Sequence, residues 1–161
     1  MIDTPQITET ADQLTAVLRL TVPRTEIQNV MGPGLGEVRA AVAAQGLTPA
    51  GPWFTHHLRR PADTFDFEIC VPVSGPVTAT GRVKPGRWPA MTVARTVYRG
   101  GYEGLGAAWG EFLAWVAENG HTPSPDLWER YLSGPDSSPN PADWRTELSQ
   151  PLGRADKAPR P

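Results

Sequence analysis

Two stretches of the chain read almost alike: residues 36–49 are GEVRAAVAAQGLTP and residues 110–123 are GEFLAWVAENGHTP. Both begin with Gly-Glu, carry small or apolar residues at matching positions and end in Gly-x-Thr-Pro, at an offset of 74 residues. Self-similarity at a fixed offset is the signature of an internal repeat. Chance similarity between two alanine-rich helices does not readily explain an ordered series with the same ending, so we interpret it as a duplication.

The similarity continues beyond these stretches. Leu58 falls on Leu132 at the same offset, and an offset of 79 places residues 68–72 (EICVP) on residues 147–151 (ELSQP). The five extra residues of the second copy fall in the loop 133–141 (SGPDSSPNP). We therefore predict one pseudo-twofold domain over residues 1–152, with copies at about 12–74 and 88–152. Residues 153–161 are charged and proline-bearing, which predicts a disordered tail.

Each copy is predicted to form a strand, a helix and two further strands. Alternating apolar residues predict strands, and apolar residues at helical spacing before a glycine predict helices. In the first copy these are a strand at 14–20, a helix at 26–45 and strands at 53–58 and 65–73. In the second copy they are a strand at 90–98, a helix at 102–119 and strands at 127–132 and 144–151, with a connecting strand at 77–83 between the copies.

One helix per copy covers only one face of the strands beside it. Two such copies predict an α+β fold, in which one antiparallel sheet carries two helices on one face. The other face is predicted to form a groove between the copies, the usual kind of place for a small ligand.

Composition excludes several classes of partner. A formal net charge of -2 with scattered lysines and arginines argues against direct binding of nucleic acid. There is one cysteine, no signal-peptide pattern at residues 1–4 and no apolar run of about 18 residues, so we expect a cytoplasmic protein without a membrane span. His56 and His57 point to opposite faces of a strand, and no ligand set surrounds them or His121. We therefore expect neither a metal nor another cofactor.

Several short motifs occur in a specific order along the chain. They are Ala50-Gly51-Pro52-Trp53-Phe54, Tyr102-x-x-Leu105, Trp128-Glu129-x-Tyr131-Leu132 and the closing stretch 141–152 (PADWRTELSQPL). In this order, over residues 12–152, they resemble the GyrI-like family. The chain has His57 where relatives often carry a tyrosine and Trp53 where they often carry a proline.

The resemblance implies a fold shared with the effector-binding domains of AraC-type and MerR-type multidrug regulators. It also implies binding of hydrophobic, often cationic compounds in an aromatic groove with a central carboxylate. Some stand-alone members of the family are implicated in gyrase protection or in hydrolysis of electrophilic cyclopropane-bearing compounds. No stretch of about 60 residues is left over for a helix-turn-helix, so we do not expect a complete transcription regulator.

Glu129 is the leading candidate for the site. A carboxylate inside a short strand beside Trp128 is costly to bury without a reason. Strand alternation sends Glu129 and Tyr131 to one face and Trp128 and Arg130 to the other. The resemblance carries the family's central pocket glutamate onto Glu129, and the alternative is a glutamate paired with an arginine at a sheet edge.

Other side chains are predicted to contribute to ligand binding. Glu68 and Glu147 are related by the repeat, with a surface ion pair as the alternative for each. Cys70, Trp109 and Trp115 are predicted to be core residues. The remaining predicted ligand-binding residues are Trp53, Thr55, His57, Trp88, Tyr98 and Tyr102.

Three functions remain open from the sequence. The first is a stand-alone domain that binds hydrophobic molecules, cationic ones included, through Glu129 and aromatic side chains. The second is a hydrolase in which Glu129 acts as a general base on water and Tyr131 orients it or donates a proton. The third is an interaction protein of the gyrase-inhibitor kind, with an unknown protein partner.

Overall fold

A computed structural model of the chain describes residues 2–60 and 62–153, and these fall into two compact units. We call Ala11–Ala90 the N-terminal unit, and Met1–Thr10 together with Met91–Pro161 the C-terminal unit. Of the predicted tail at 153–161, all but Gly153 lies outside the described residues.

The N-terminal unit contains four strands and one helix. Its elements are β2 (Gln13–Pro23), α1 (Ile27–Ala44), β3 (Phe54–His57), β4 (Thr64–Pro72) and β5 (Val83–Trp88), with a single 3₁₀ turn at Arg24–Glu26 before α1. The strands are antiparallel in the order β3-β4-β2-β5. The helix packs its apolar residues, among them Val38 and Val42, against Leu18, Phe67 and Ile69 of the strands. These residues form the core of the unit.

The C-terminal unit is built in the same way. Its elements are β1 (Gln6–Glu9), β6 (Thr92–Arg99), α2 (Leu105–Glu118), β7 (Leu127–Ser133) and β8 (Arg145–Pro151), with 3₁₀ turns at Tyr102–Gly104 and Pro141–Asp143. The strands are antiparallel in the order β1-β6-β8-β7. Phe112 and Val116 of α2 pack with Ala94, Leu127 and Leu148 of the strands.

The predicted α+β fold class, with antiparallel strands and two helices, is confirmed. Both units share the element order strand, helix, strand, strand, and each helix ends before a glycine with positive φ, Gly46 at 71° and Gly120 at 77°. Glycine adopts this left-handed conformation without a steric penalty, so it closes helices at this position. The sequence duplication itself stays a prediction.

Two strands differ from the sequence prediction. The prediction of a connecting strand at 77–83 is wrong, because the chain turns at Gly81. The strand that follows is β5, which pairs with Gln13–Leu18 of β2. The sequence did not predict β5 as a strand because it contains Pro85, and proline has no N–H to donate to a neighbouring strand. An edge strand tolerates such a residue. β1 was not predicted, because its four residues QITE are short and largely polar.

The glycine-rich stretch 32–36 lies inside α1, which continues past Pro33. A Cβ added to Gly34 would lie 2.6 Å from Cδ1 of Ile69. The glycine therefore lets the helix approach β4 closely.

Candidate functional site

Glu129 lies on the face of β7 that is covered by α2. Leu127, two residues earlier on the strand, belongs to the core formed with α2, and alternation gives Glu129 and Tyr131 the same face. The indole Nε1 of Trp109 on α2 donates a hydrogen bond to Oε2 of Glu129 at 2.6 Å. The prediction of a groove on the face opposite the helices is therefore wrong for this side chain, because the carboxylate points towards the helix.

The carboxylate of Glu129 is buried and accepts two hydrogen bonds. In addition to the indole of Trp109, the hydroxyl of Tyr131 donates to Oε1 at 2.8 Å. Glu129 is 8% exposed, and Trp109 and Tyr131 are each 9% exposed. Each donor holds a different carboxylate oxygen, which fixes the plane of the carboxylate between α2 and β7.

Glu129 has no cationic partner among the residues that the structure describes. No lysine, arginine or histidine nitrogen at residues 2–60 or 62–153 lies within 4.0 Å of its carboxylate oxygens. The alternative of a glutamate paired with an arginine is therefore wrong. Trp109 and Tyr131 are neutral donors, and burying a carboxylate without a cationic partner is costly.

Aromatic rings continue from Tyr131 towards the surface. The ring of Tyr102 stands edge-on to that of Tyr131 with centroids 6.0 Å apart, and its centroid lies 4.9 Å from that of Trp144. Burial raises the pKa of the Tyr102 phenol, and the negative charges of Glu129 and Asp136 raise it further. Tyr102 therefore lies within the electrostatic field of both carboxylates and keeps its proton at neutral pH.

The loop after β7 borders this aromatic row. The indole Nε1 of Trp144 donates to the carbonyl of Ser138 at 2.9 Å. A Cβ added to Gly134 would lie 2.6 Å from the hydroxyl of Tyr102, so the loop backbone lies directly against that ring. Only a glycine allows this approach without a shift of the ring or the loop.

The structure brings three predicted residues together, namely Glu129, Tyr131 and Tyr102. It places Tyr98 differently. Tyr98 is 6% exposed inside the core of the C-terminal unit, and its hydroxyl donates to the carbonyl of Gly101 at 2.7 Å. Rather than overhanging a groove, Tyr98 fixes the backbone just before α2.

Four further predicted residues lie in the N-terminal unit. Thr55 and His57 are buried and pair with Ile69 and Phe67, so they lie on the same face of the strands as these two core residues. The ring of His57 stacks on Phe67 at 5.3 Å. Trp53 packs against the same core, and Trp88 is buried with its ring 5.0 Å from that of Phe54.

Glu68 and Glu147 lie on the sheet faces away from the helices. In register, Glu68 pairs with His56, whose Nδ1 is 3.4 Å from Oε1 of Glu68. Oε1 of Glu147 lies 3.5 Å from Nε of both Arg95 and Arg130. Burial lowers the pKa of Arg95, which Glu147 partly offsets and Arg130 reinforces. For both glutamates, these contacts match the alternative stated from the sequence, in which each glutamate forms an ion pair instead of binding a ligand.

Two residues of the site were not predicted as site residues. Trp109 was assigned to the core, and it does pack there, but its indole N–H also reaches Glu129. For Trp144, the sequence indicates only that it is part of the closing motif at 141–152. Helical spacing shows which side of α2 is apolar, but it does not show that an indole nitrogen meets a carboxylate from another element.

Elsewhere in the described residues there is no site comparable to that of Glu129. A cavity of about 430 Å³ lies beside α2, bordered by Asp3, Glu111, Trp115 and Glu118, and Glu129 is not part of its lining. Within residues 2–60 and 62–153, no three His, Cys, Asp or Glu side chains are grouped to hold a metal ion. Across the same ranges, neither helix combines the length and the apolar character that crossing a bilayer requires.

The fold is similar to that of several solved structures. The C-terminal domain of EcmrR matches with a TM-score of 0.82 and 23% identity, over 93% of this chain and 97% of that one. In a longer EcmrR chain, seen in a complex with DNA, the match spans 57% of its length. SAV2435 bound to tetraphenylphosphonium matches with a TM-score of 0.64 and 12% identity, over 96% of this chain and 97% of that one.

A hydrolase from Listeria innocua matches with a TM-score of 0.62 and 14% identity, over 92% of this chain and 91% of that one. At these identities the likeness shows the fold alone. No curated protein matches the chain in sequence. The family model described as GyrI-like small molecule binding domain matches residues 3–152, and the chain therefore belongs to that family.

Proposed function

We propose that the chain binds a hydrophobic organic cation through Glu129 and the aromatic row of Tyr131, Tyr102 and Trp144. The observation that carries this proposal is the buried carboxylate of Glu129, which accepts hydrogen bonds from Trp109 and Tyr131 and has no cationic side chain within 4.0 Å among the described residues. A ligand cation would supply the charge that the protein itself does not supply.

The energetics favour a cation over a neutral molecule. A buried charge is strongly disfavoured unless it is paired. Trp109 and Tyr131 satisfy the hydrogen-bonding capacity of the two oxygens only in part, since each oxygen has a second lone pair. A cation placed beside them would interact with the carboxylate in a medium of lower effective dielectric constant than water, where the attraction is stronger.

The neighbouring rings suit a large, weakly hydrated cation. Tyr102 and Trp144 offer aromatic surface, and a cation over an aromatic face gains about 0.5–2 kcal/mol. A similar fold, that of SAV2435, is known with tetraphenylphosphonium bound, a compound that combines these properties. A hydrophobic cation is therefore the ligand class that the chemistry of these side chains fits best.

Hydrolysis is a second candidate, and one contact favours it. The Tyr131 hydroxyl lies 2.8 Å from Oε1 of Glu129, so a carboxylate and a proton donor stand side by side, as general acid–base chemistry requires. The structural likeness to a hydrolase from Listeria innocua concerns the fold alone. Mass spectrometry of the recovered ligand distinguishes the two candidates, since a binder returns the ligand intact.

The test is a tryptophan-fluorescence titration with tetraphenylphosphonium. The proteins are the wild type, Glu129→Gln and, as a matched control, Glu111→Gln, whose glutamate is exposed on α2. The side-chain amide that Glu129→Gln introduces can accept from Trp109 through its oxygen and donate to the Tyr131 hydroxyl through its nitrogen, so the variant keeps its hydrogen bonds.

We expect binding to be at least about tenfold weaker in Glu129→Gln, because loss of a buried charge pair costs about that much or more. Glu111→Gln should bind like the wild type. Equal affinity of wild type and Glu129→Gln would overturn the proposal. The gyrase-inhibitor kind of interaction would instead appear as capture of a protein partner that is insensitive to Glu129→Gln.

A further inference from the structure

We propose that Asp136 is a second, outer carboxylate of the Glu129 site and that the site prefers elongated ligands with a positive charge at each end. This inference rests on the proposed function and specifies the ligand class further. Glu129 would hold one charge at the buried end, and Asp136 the other at the surface end, with Tyr102 between them.

A tight turn holds Asp136 in place. The carbonyl of Gly134 accepts hydrogen bonds from the backbone N–H of Ser137 at 2.9 Å and of Ser138 at 3.1 Å, and the hydroxyl of Ser137 also donates to it. Asp136 is thus a central residue of a four-residue turn that begins at Gly134. Its position follows from the position of Gly134.

Both ends of this turn are attached to the aromatic row. At its start, Gly134 lies so close to the Tyr102 hydroxyl that a Cβ would approach it to 2.6 Å. Just after it, the carbonyl of Ser138 accepts from the indole of Trp144, and Trp144 contacts Tyr102. The turn is therefore fixed against the outer edge of the same rings that lead inwards to Tyr131.

Tyr102 is within reach of both charges. Its ring contacts Tyr131, whose hydroxyl binds Glu129, and its own hydroxyl lies against the turn that carries Asp136. In agreement, the charges of Glu129 and Asp136 both raise the pKa of the Tyr102 phenol, after burial as the largest cause. The phenol ring thus forms an aromatic path between an inner and an outer carboxylate.

Asp136 is available to a ligand. It is exposed, and none of the basic side chains in the described part of the chain lies within 4.0 Å of it. Arg145, which pairs with Ser133 just before the turn, donates to the carbonyls of Ala142 and Trp144. Asp143 differs from Asp136, because its carboxylate accepts from the Ser138 hydroxyl within the loop.

The experiment compares a dication with the monocation that forms one half of it. The dication has two triphenylphosphonium groups joined by a hexyl chain, and the monocation is hexyltriphenylphosphonium. Calorimetric titration gives the ratio of their affinities for the wild type, for Asp136→Asn and for Glu118→Gln, a control whose glutamate is exposed at the end of α2. The statistical advantage of two equivalent ends is the same in every protein and cancels between them.

We expect the ratio to favour the dication about threefold more in the wild type than in Asp136→Asn, which is the order of one exposed ion pair. The difference should shrink at high salt, because the outer pair is screened. Monocation affinity and the Glu118→Gln ratio should stay at wild-type values. An unchanged ratio in Asp136→Asn would overturn this inference alone, whereas failure of the monocation to bind the wild type would overturn the proposed function.

Discussion

The indole nitrogen of Trp109 lies 2.6 Å from Oε2 of Glu129 and so joins the middle of α2 to the middle of β7. This contact places the carboxylate on the helix-covered face, holds its orientation and makes one residue serve both the core and the site. Loss of the contact should therefore affect stability and binding together.

Trp109→Phe should lose stability by more than the change in ring size explains. Phenylalanine keeps an aromatic ring beside Phe112 but leaves Oε2 of Glu129 without its donor. Trp115→Phe is the matched control, since its indole N–H makes no hydrogen bond among the described residues. In urea denaturation, Trp109→Phe should cost about 1.5–3 kcal/mol more than Trp115→Phe, the range for a hydrogen bond to a charged group. Equal costs would show that the hydrogen bond contributes nothing.

Tyr98→Phe should affect stability but not ligand binding. Its hydroxyl donates to the buried carbonyl of Gly101, so its removal should cost about 1 kcal/mol in urea denaturation. The affinity for tetraphenylphosphonium should stay at the wild-type value, because Tyr98 is part of the core. If Tyr98→Phe had normal stability but bound the ligand more weakly, Tyr98 would be a ligand-binding residue and this account would be wrong.

Gly134→Ala should weaken ligand binding, because the new Cβ would lie 2.6 Å from the Tyr102 hydroxyl and displace the ring or the loop. Gly110→Ala is the control. Nothing lies within 4 Å of a Cβ at Gly110, on the exposed side of α2, so this change should stabilise the protein by about 0.5–1 kcal/mol. Fluorescence titration and urea denaturation of both variants test the pair, and unaltered ligand binding by Gly134→Ala would show that the position of Tyr102 is unimportant.

Acid should weaken the link between β2 and β4. The Arg19 guanidinium hydrogen-bonds the Asp66 carboxylate and lowers its pKa, with help from the Arg19 charge and the Thr21 hydroxyl. A lowered pKa gives stability that is complete above the ordinary aspartate value of about 4 and is lost as pH falls through the lowered folded value. The stability advantage of wild type over Asp66→Asn should therefore shrink below pH about 4, and a constant advantage would contradict this account.

The sequence predicted the elements that depend on local patterns. Periodicity located both helices, and the glycines after them, Gly46 and Gly120, marked their ends because glycine readily adopts the left-handed conformation that often closes a helix. Alternation also correctly predicted that Glu129 and Tyr131 lie on the same face of their strand. Each of these inferences needs only neighbouring residues.

The sequence could not predict which face of the strand meets the helix. Alternation shows that Glu129 and Trp128 point in opposite directions, but both faces of β7 are largely buried, so hydrophobicity does not tell the two apart. The answer lies in the contact of Glu129 with Trp109, two residues from different elements. The roles of Trp144 and of Asp136 likewise depend on where the loop 133–141 folds back, which no local pattern encodes.

The most direct test of the central claim uses two ions of nearly the same shape and opposite charge, tetraphenylphosphonium and tetraphenylborate. Calorimetric titration measures the affinity of each for the wild type and for Glu129→Gln. If Glu129 is the charge that selects the ligand, the wild type binds the cation and rejects the anion, and Glu129→Gln loses most of that preference. Equal binding of both ions by the wild type, or an unchanged preference in Glu129→Gln, would contradict it.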